Sequence, residues 1–246
     1  MFASYQDTIA LGLPTGLLLV AFLAVLHASF QVASSVLTLL SGHSFVHSKA
    51  RHRLTSLNLA YIAGVFLATS LLIAGLTSAF VLWLPYDVIH SLWLILIGIA
   101  VIVGIVTMFF YYRRGKGTKL WIPRSFALYL ESRAKSTKNV IEAATLGVVS
   151  VFAELPFTAV FIVATSLVLA NSVALDDHLV IVGLYSLIVV FPLLVIASLL
   201  SAGHKLSHIQ RWRESNKHFL QFVSGVGLLV VAIFIWVNYI LQGSTL

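Results

Sequence analysis

Long apolar stretches separated by short polar ones dominate the pattern of this sequence. Apolar segments cover residues of about 10 to 41, 57 to 84, 89 to 112, 140 to 171, 179 to 202 and 219 to 241. Each segment is close to or above the roughly 20 residues that an α-helix needs to cross a hydrocarbon core about 30 Å thick. The pattern therefore predicts an all-α membrane protein with six transmembrane helices.

Composition agrees with this prediction and excludes an ordinary water-soluble domain. Of the 246 residues, 60% are hydrophobic and only 9% are charged, whereas roughly a quarter of the residues in a soluble domain are charged. The mean hydropathy of +1.02 is correspondingly high. We therefore expect the lipid bilayer to surround the chain, and we assign its formal charge of +7 to loops and not to nucleic-acid binding.

The positions of the basic residues predict the orientation in the membrane. All fifteen Lys and Arg residues lie between segments 1 and 2, between segments 3 and 4, or between segments 5 and 6. The other connections and both tails carry Asp7, Asp87, Asp176 and Asp177 instead. Because basic loops remain in the cytoplasm, we expect a multi-pass protein of the cell membrane with both termini outside.

The longest connection divides the single membrane domain, residues 1–246, into two groups of three segments. Because three is an odd number, the second group must run opposite to the first, which is the topology of a 3+3 inverted repeat. We place repeat 1 at about 8–112, the basic loop at about 113–139 and repeat 2 at about 140–246.

The second half of the basic loop predicts a short helix at the membrane surface. Pro123 is suited to the first turn of a helix, and Phe126, Tyr129 and Leu130 follow it among charged residues. Such a helix could lie on anionic lipid or bind a partner protein.

Small residues predict close helix packing in segment 2. Ala60, Gly64 and Ala68 recur every four residues, and further along Gly75 and Ala79 are again four residues apart. Rows of this kind let two helix backbones approach each other. They indicate packing and imply no chemistry.

Segment 4 contains the strongest candidate for function. Glu154 lies near its middle, where translocon-based scales assign an ionised acid a cost of roughly 2.5 to 3.5 kcal/mol. Pro156 removes one backbone hydrogen bond, and Thr158 adds a hydroxyl. This pattern is typical of a substrate site in a transporter, although a neutral Glu beside an ordinary proline kink would look the same.

Segment 1 carries polar residues at a comparable depth. His27 could exchange a proton with Glu154 if the two segments cross, and Gln31 follows one turn later with donors and acceptors. A histidine hydrogen-bonded to a serine or a carbonyl explains the same pattern.

No cofactor, metal site or catalytic residue is predicted. The chain has no cysteine, which excludes disulfides and thiolate ligands. His43 with His47, and His204 with His208, have the i,i+4 spacing of a metal site, but their surroundings are cationic. We see no combination of nucleophile, base and oxyanion donor that would predict an enzyme.

Several segments together resemble the CcdA and DsbD-like transmembrane proteins of cytochrome c biogenesis. They are SFQVASSVLTLLSG and LNLAYIAGVFLATSLLIAGL in the first half, FAELPFT at 152–158, and the region from Leu184 to Trp236. The resemblance implies a six-helix inverted repeat, similar to that of LysE-type exporters. Gln31 and Phe157 occupy the two positions where the family has reactive cysteines, so its electron transfer cannot be carried over.

Two functions follow as expectations. The first is a transporter or exporter of a small solute or ion by alternating access, with Glu154 and His27 in proton coupling or binding and Gln31, Pro156, Phe157 and Thr158 around them. The alternative is a redox-silent scaffold of the CcdA/DsbD-like type that binds a partner protein or cofactor through its cytoplasmic loops.

Overall fold

The computed structural model is helical over nearly all of the residues that it describes, which are 13–29, 36–37, 40, 50–110, 124–172, 177–202 and 206–241. The helices are α1 (Leu13–Ser29), α2 (Ala50–Trp83), α3 (Tyr86–Phe110), α4 (Arg124–Ser136), α5 (Val140–Ser172), α6 (His178–Ser201) and α7 (Leu206–Ile235), and α7 continues into a π-helical segment at Trp236–Leu241. The predicted all-α class is confirmed for these ranges.

Five helices are long and apolar enough to cross a membrane. Their apolar parts are His52–Trp83, Ser91–Phe109, Val140–Asn171, His178–Ser201 and His218–Asn238, which correspond to predicted segments 2 to 6. The apolar part of α1 is shorter, Gly16–Ser29, and most of residues 30–49 lie outside the described ranges. The chain is a multi-pass membrane protein, and its sixth span remains a prediction.

Large apolar side chains cover the outside of the bundle. More than half of the surface of each is exposed in Leu71, Leu82, Trp83, Ile102, Phe109, Ile141, Leu179 and Ile233. An apolar belt of this extent would aggregate in water. It is the surface that a bilayer covers, because lipid tails favour apolar contact.

The closest helix contact joins α2 and α5. A Cβ atom on Gly64 would overlap the carbonyl of Ala144, and one on Gly147 would overlap the carbonyl of Tyr61. The predicted packing role of Gly64 is therefore confirmed, and Ala60 and Ala68 beside it are buried. Gly75 differs, because a Cβ atom there would meet open space.

A second close contact joins α3 and α7. A Cβ atom on Gly225 would overlap the side chain of Met108 and lie 2.8 Å from the carbonyl oxygen of Gly104. Gln221 donates a hydrogen bond of 2.8 Å to the carbonyl of Met108. Further large contacts join α6 to α2 and α1, and α1 to α5.

Helices α2 and α5 begin at the same end of the bundle, where Arg53 donates a 2.7 Å hydrogen bond to the carbonyl of Lys138. We call this the basic end, and the opposite end, where α5 stops and α6 starts, the far end. Helix α4 lies at the basic end and confirms the short helix predicted after Pro123. Its Leu130 and Ala134 are buried in the core, while Tyr129 is exposed.

Candidate functional site: two buried polar clusters on α5

One face of α5 carries a row of buried polar side chains. Ser150, Glu154, Thr158 and Thr165 are each at most 4% exposed. Their spacing of four, four and seven residues keeps them on one side of the helix. The opposite side faces lipid, with Phe152 half exposed. The hydrophobic pattern thus orients α5 so that its polar atoms point into the bundle.

The cluster nearer the basic end consists of Tyr61, Ser150 and Glu154, and we call it the carboxyl cluster. The Tyr61 hydroxyl donates to Ser150 Oγ at 2.9 Å, and Ser150 Oγ donates to the carbonyl of Leu146 at 2.8 Å. Glu154 lies one turn beyond Ser150, close to the Tyr61 side chain. The predicted mid-helix position of Glu154 is therefore a buried position against α2.

The cluster nearer the far end consists of His27, Thr165 and Tyr185, and we call it the imidazole cluster. His27 Nδ1 lies 2.9 Å from the Tyr185 hydroxyl, and the His27 ring stacks on Phe161 with centroids 6.0 Å apart. Thr165 Oγ1 lies near the same hydroxyl, but it has no hydrogen bond of regular geometry to any described residue. Three helices, α1, α5 and α6, contribute to this cluster.

The proposed direct pair of His27 and Glu154 does not form. The hydrogen bond of His27 goes to Tyr185 on α6, and its stacking partner Phe161 is seven residues beyond Glu154. Seven residues correspond to about 10 Å along a helix. The two ionisable groups therefore occupy successive levels of the bundle.

The other predicted site residues take different positions. Thr158 Oγ1 donates to the carbonyl of Glu154 at 3.1 Å, so its hydroxyl is held by its own helix. Phe157 is partly buried in the core. Pro156 is exposed, which puts the proline on the lipid side and away from the polar row. Gln31 lies outside the described residues.

The side chains that the sequence did not single out are Tyr61, Ser150, Thr165 and Tyr185. Both tyrosines are fully buried, although tyrosine is more common at membrane surfaces. Each tyrosine lies in the second segment of its predicted repeat, close to the start of that segment. This shared position is the signal in the sequence that could have identified the two tyrosines.

The histidine pairs add no site in the described part of the chain. His43, His47 and His204 lie outside it, and only the backbone of His208 is described. No group of three or more potential metal ligands occurs among the described residues.

Glu154 and His27 are the carboxyl and the imidazole among the buried polar side chains of the described residues. The remaining buried polar groups are hydroxyls and amides, including Asn58, Ser186 and Gln221, together with the two tyrosines. A carboxyl and an imidazole at successive levels of an apolar bundle can bind a cation or exchange protons.

Comparison of the chain with protein-family models, with curated proteins and with solved structures finds no match.

Proposed function

We propose that this protein is a transporter or exporter of a small solute or ion that works by alternating access, with Glu154 as its central binding or proton-coupling group and His27 as a second such group. The observation that carries the proposal is the burial of Glu154, which is 4% exposed within α5. Intramembrane ionisable residues typically mark substrate or proton pathways.

A carboxyl group at position 154 carries an energetic risk that other polar groups would avoid. An amide or a hydroxyl could satisfy neighbouring polar groups without the cost of a few kcal/mol that an acid risks in the bilayer. No Lys or Arg lies within any predicted span to neutralise Glu154. A carboxyl that can be charged in this position is therefore better explained by a need to bind a cation or a proton.

The contacts between helices support two repeats of three spans. Helices α1, α2 and α3 would form repeat 1, and α5, α6 and α7 would form repeat 2. If the two repeats are exchanged, the α2–α5 contact corresponds to the α6–α1 contact, and the contacts α3–α7, α2–α6 and α1–α5 each correspond to themselves. These five are the largest contacts between the described helices. The same exchange relates the Tyr61–Ser150 hydrogen bond to the Tyr185–His27 hydrogen bond. Two related halves around a central site are the architecture on which alternating access depends.

The resemblance to the CcdA and DsbD-like proteins and to LysE-type exporters supports the same scaffold without its redox chemistry. Phe157 occupies one position where that family carries a cysteine, and it packs against the core. The chain has no cysteine, so solute or ion movement is the part of the family's behaviour that these residues could provide.

The substrate can be sought by thermal stability. Purified protein is screened against amino acids, divalent cations and a range of pH, because a ligand that binds only the folded state stabilises it. Compounds that raise the unfolding temperature are then tested for uptake into proteoliposomes.

The decisive comparison uses Glu154→Gln and the matched control Glu142→Gln on the same helix. Glu142 lies at the start of α5, where its Oε2 accepts from the Lys138 N–H, and an amide oxygen can accept the same bond. We expect Glu154→Gln to abolish uptake and Glu142→Gln to leave it near wild type. Normal uptake by Glu154→Gln would refute the proposal.

Substitutions at the basic end distinguish the scaffold hypothesis from the transporter proposal. Arg133 and Lys135 are exposed on α4, and Lys135 pairs with Glu131 at 2.6 Å. If the cytoplasmic loops bind a partner, reversing both charges should impair function more than Glu154→Gln does. The transporter proposal expects the opposite order.

A further inference from the structure

The polar row of α5 is interrupted by one aromatic side chain. Phe161 lies on the same face as Glu154, Thr158 and Thr165, and it is completely buried. Its ring stacks on His27 with an interplanar angle of 18°. An apolar ring therefore separates the level of the carboxyl cluster from that of the imidazole cluster.

The polar groups on either side are suited to hold and pass protons. From Ser150 to Thr165 the row extends over 15 residues, which is about 22 Å along a helix, in a hydrocarbon core about 30 Å thick. Tyr61 and Ser150 lie on the side of Glu154 nearer the basic end. Tyr185 lies beside His27 toward the far end.

The groups named around Glu154 and His27 are hydroxyls, so we take the proton to be the charge that moves between these two side chains. Glu154 lies close to Tyr61 of α2, and His27 contacts Tyr185 of α6. From α7, Ser224 shares a 2.8 Å hydrogen bond with Ser29. No buried Lys, Arg or Asp occurs among the described residues.

We infer that α5 carries protons between Glu154 and His27, and that Phe161 is the barrier between these two protonation sites. This inference rests on the proposed function in taking Glu154 as the coupling group, and it names the proton as the coupling ion. The structure has the barrier closed, since Phe161 fills the row between the two clusters.

One proton moves from Glu154 to His27 in the transfer step. When the Phe161 ring turns aside, the O–H bond of protonated Glu154 breaks and an N–H bond forms at His27 Nε2, relayed by hydroxyls or water, which leaves a carboxylate and an imidazolium. In the tautomer in which the Nδ1–H of His27 donates to the Tyr185 hydroxyl oxygen, Nε2 carries the free lone pair and is the nitrogen that accepts the proton. His27 then releases a proton toward the far end, and Glu154 takes one from the basic end, so that one proton has crossed.

The first test measures proton flux without any solute. Proteoliposomes that contain the pH-sensitive dye pyranine receive a pH step, with valinomycin and potassium to balance charge. We expect Phe161→Ala to conduct protons at least about tenfold faster than wild type, which corresponds to a barrier lowered by about 1.4 kcal/mol. Phe152→Ala is the matched control, because Phe152 is on the same helix and faces lipid.

The second test asks whether the flux uses the named groups. Phe161→Ala combined with Glu154→Gln, and Phe161→Ala combined with His27→Gln, should each return the flux to the wild-type rate. A leak that survives both combinations would be a nonspecific pore and would overturn the inference. So would a Phe161→Ala protein that conducts no faster than Phe152→Ala.

A third variant guards against loss of folding. Phe161→Leu retains most of the buried volume, and such substitutions are generally tolerated in cores. If Phe161→Ala does not fold, Phe161→Leu must exceed Phe152→Leu in proton flux, or the inference fails. Because these measurements need no solute, their failure leaves solute transport standing, whereas a proton flux that depends on Glu154 without any solute movement would refute only the proposed function.

Discussion

Gly64 of α2 lies directly against the main chain of Ala144 in α5, so that a Cβ atom on Gly64 would overlap the Ala144 carbonyl oxygen. Gly147 makes the reciprocal approach to the carbonyl of Tyr61. Backbones that meet this closely gain dispersion contacts without long side chains between them. The same approach brings the Tyr61 hydroxyl within reach of Ser150 and so builds the carboxyl cluster.

Replacing Gly64 with Val should therefore destabilise the protein strongly. Overpacking of a core commonly costs 1 to 3 kcal/mol, and the upper end of that range, about 3 kcal/mol, is expected here because the obstacle is a backbone carbonyl. The measurement is the unfolding temperature in detergent, together with the monodisperse fraction on size-exclusion chromatography.

Gly75→Ala provides the control on the same helix. A Cβ atom there meets open space, and Ala favours a helix over Gly by up to about 1 kcal/mol. We expect an unfolding temperature equal to or above that of wild type. Equal losses in Gly64→Val and Gly75→Ala would contradict the α2–α5 contact.

Removing the Tyr185 hydroxyl tests the imidazole cluster. Tyr185→Phe deletes the hydrogen bond to His27 and should cost roughly 0.6 to 1 kcal/mol. A typical protein hydrogen bond contributes about 1 kcal/mol to stability, and those between membrane helices average roughly 0.6 kcal/mol in double-mutant cycles. Unfolding in a titration with a denaturing detergent gives the value. Tyr129→Phe, at an exposed position on α4, should change nothing, and a Tyr185→Phe protein as stable as that control would argue against the bond.

The spans were the part of the fold that the sequence could predict. Lipid demands a continuous apolar helix of fixed minimum length, and five of the six predicted segments reappear as helices long and apolar enough to cross a membrane. The start of α2 differs: it begins at Ala50 and not near 57, because Arg53 and its neighbours form polar first turns at the basic end. A hydropathy pattern marks the apolar part of a helix and not its polar end.

The partners of the site residues could not be predicted in this way. His27 and Tyr185 are 158 positions apart, and which side chains meet depends on the rotation and relative depth of three helices. Gly64 and Gly75 have the same kind of neighbours in the sequence, yet only Gly64 lies where two helices cross. A residue pattern shows which faces are polar or small, while the crossing points arise from packing of the whole bundle.

Two substitutions of Glu154 should differ in their effect on folding. Glu154→Gln should accumulate and purify like wild type, because an amide has nearly the shape of a carboxyl group. Glu154→Lys should fail to accumulate as folded protein, since it buries a longer cationic side chain. Glu131→Lys is the control, because Glu131 is an exposed partner of Lys135 and such pairs contribute about 1 kcal/mol or less. The purified yield and the elution profile on size-exclusion chromatography measure the effect of each substitution. A well-folded Glu154→Lys protein would show that water reaches the side chain at position 154.

Orientation can be tested with single cysteines, since the chain contains none of its own. Ser136 at the end of α4 and Asp177 before α6 are both exposed, and α5 separates them. Because the basic loops are expected in the cytoplasm, an impermeant maleimide added to intact cells should label Asp177→Cys at once and Ser136→Cys only after the membrane is permeabilised. The reverse result would invert the topology. Labelling of both from outside would mean that α5 does not cross the membrane, in which case Glu154 could not lie within the bilayer.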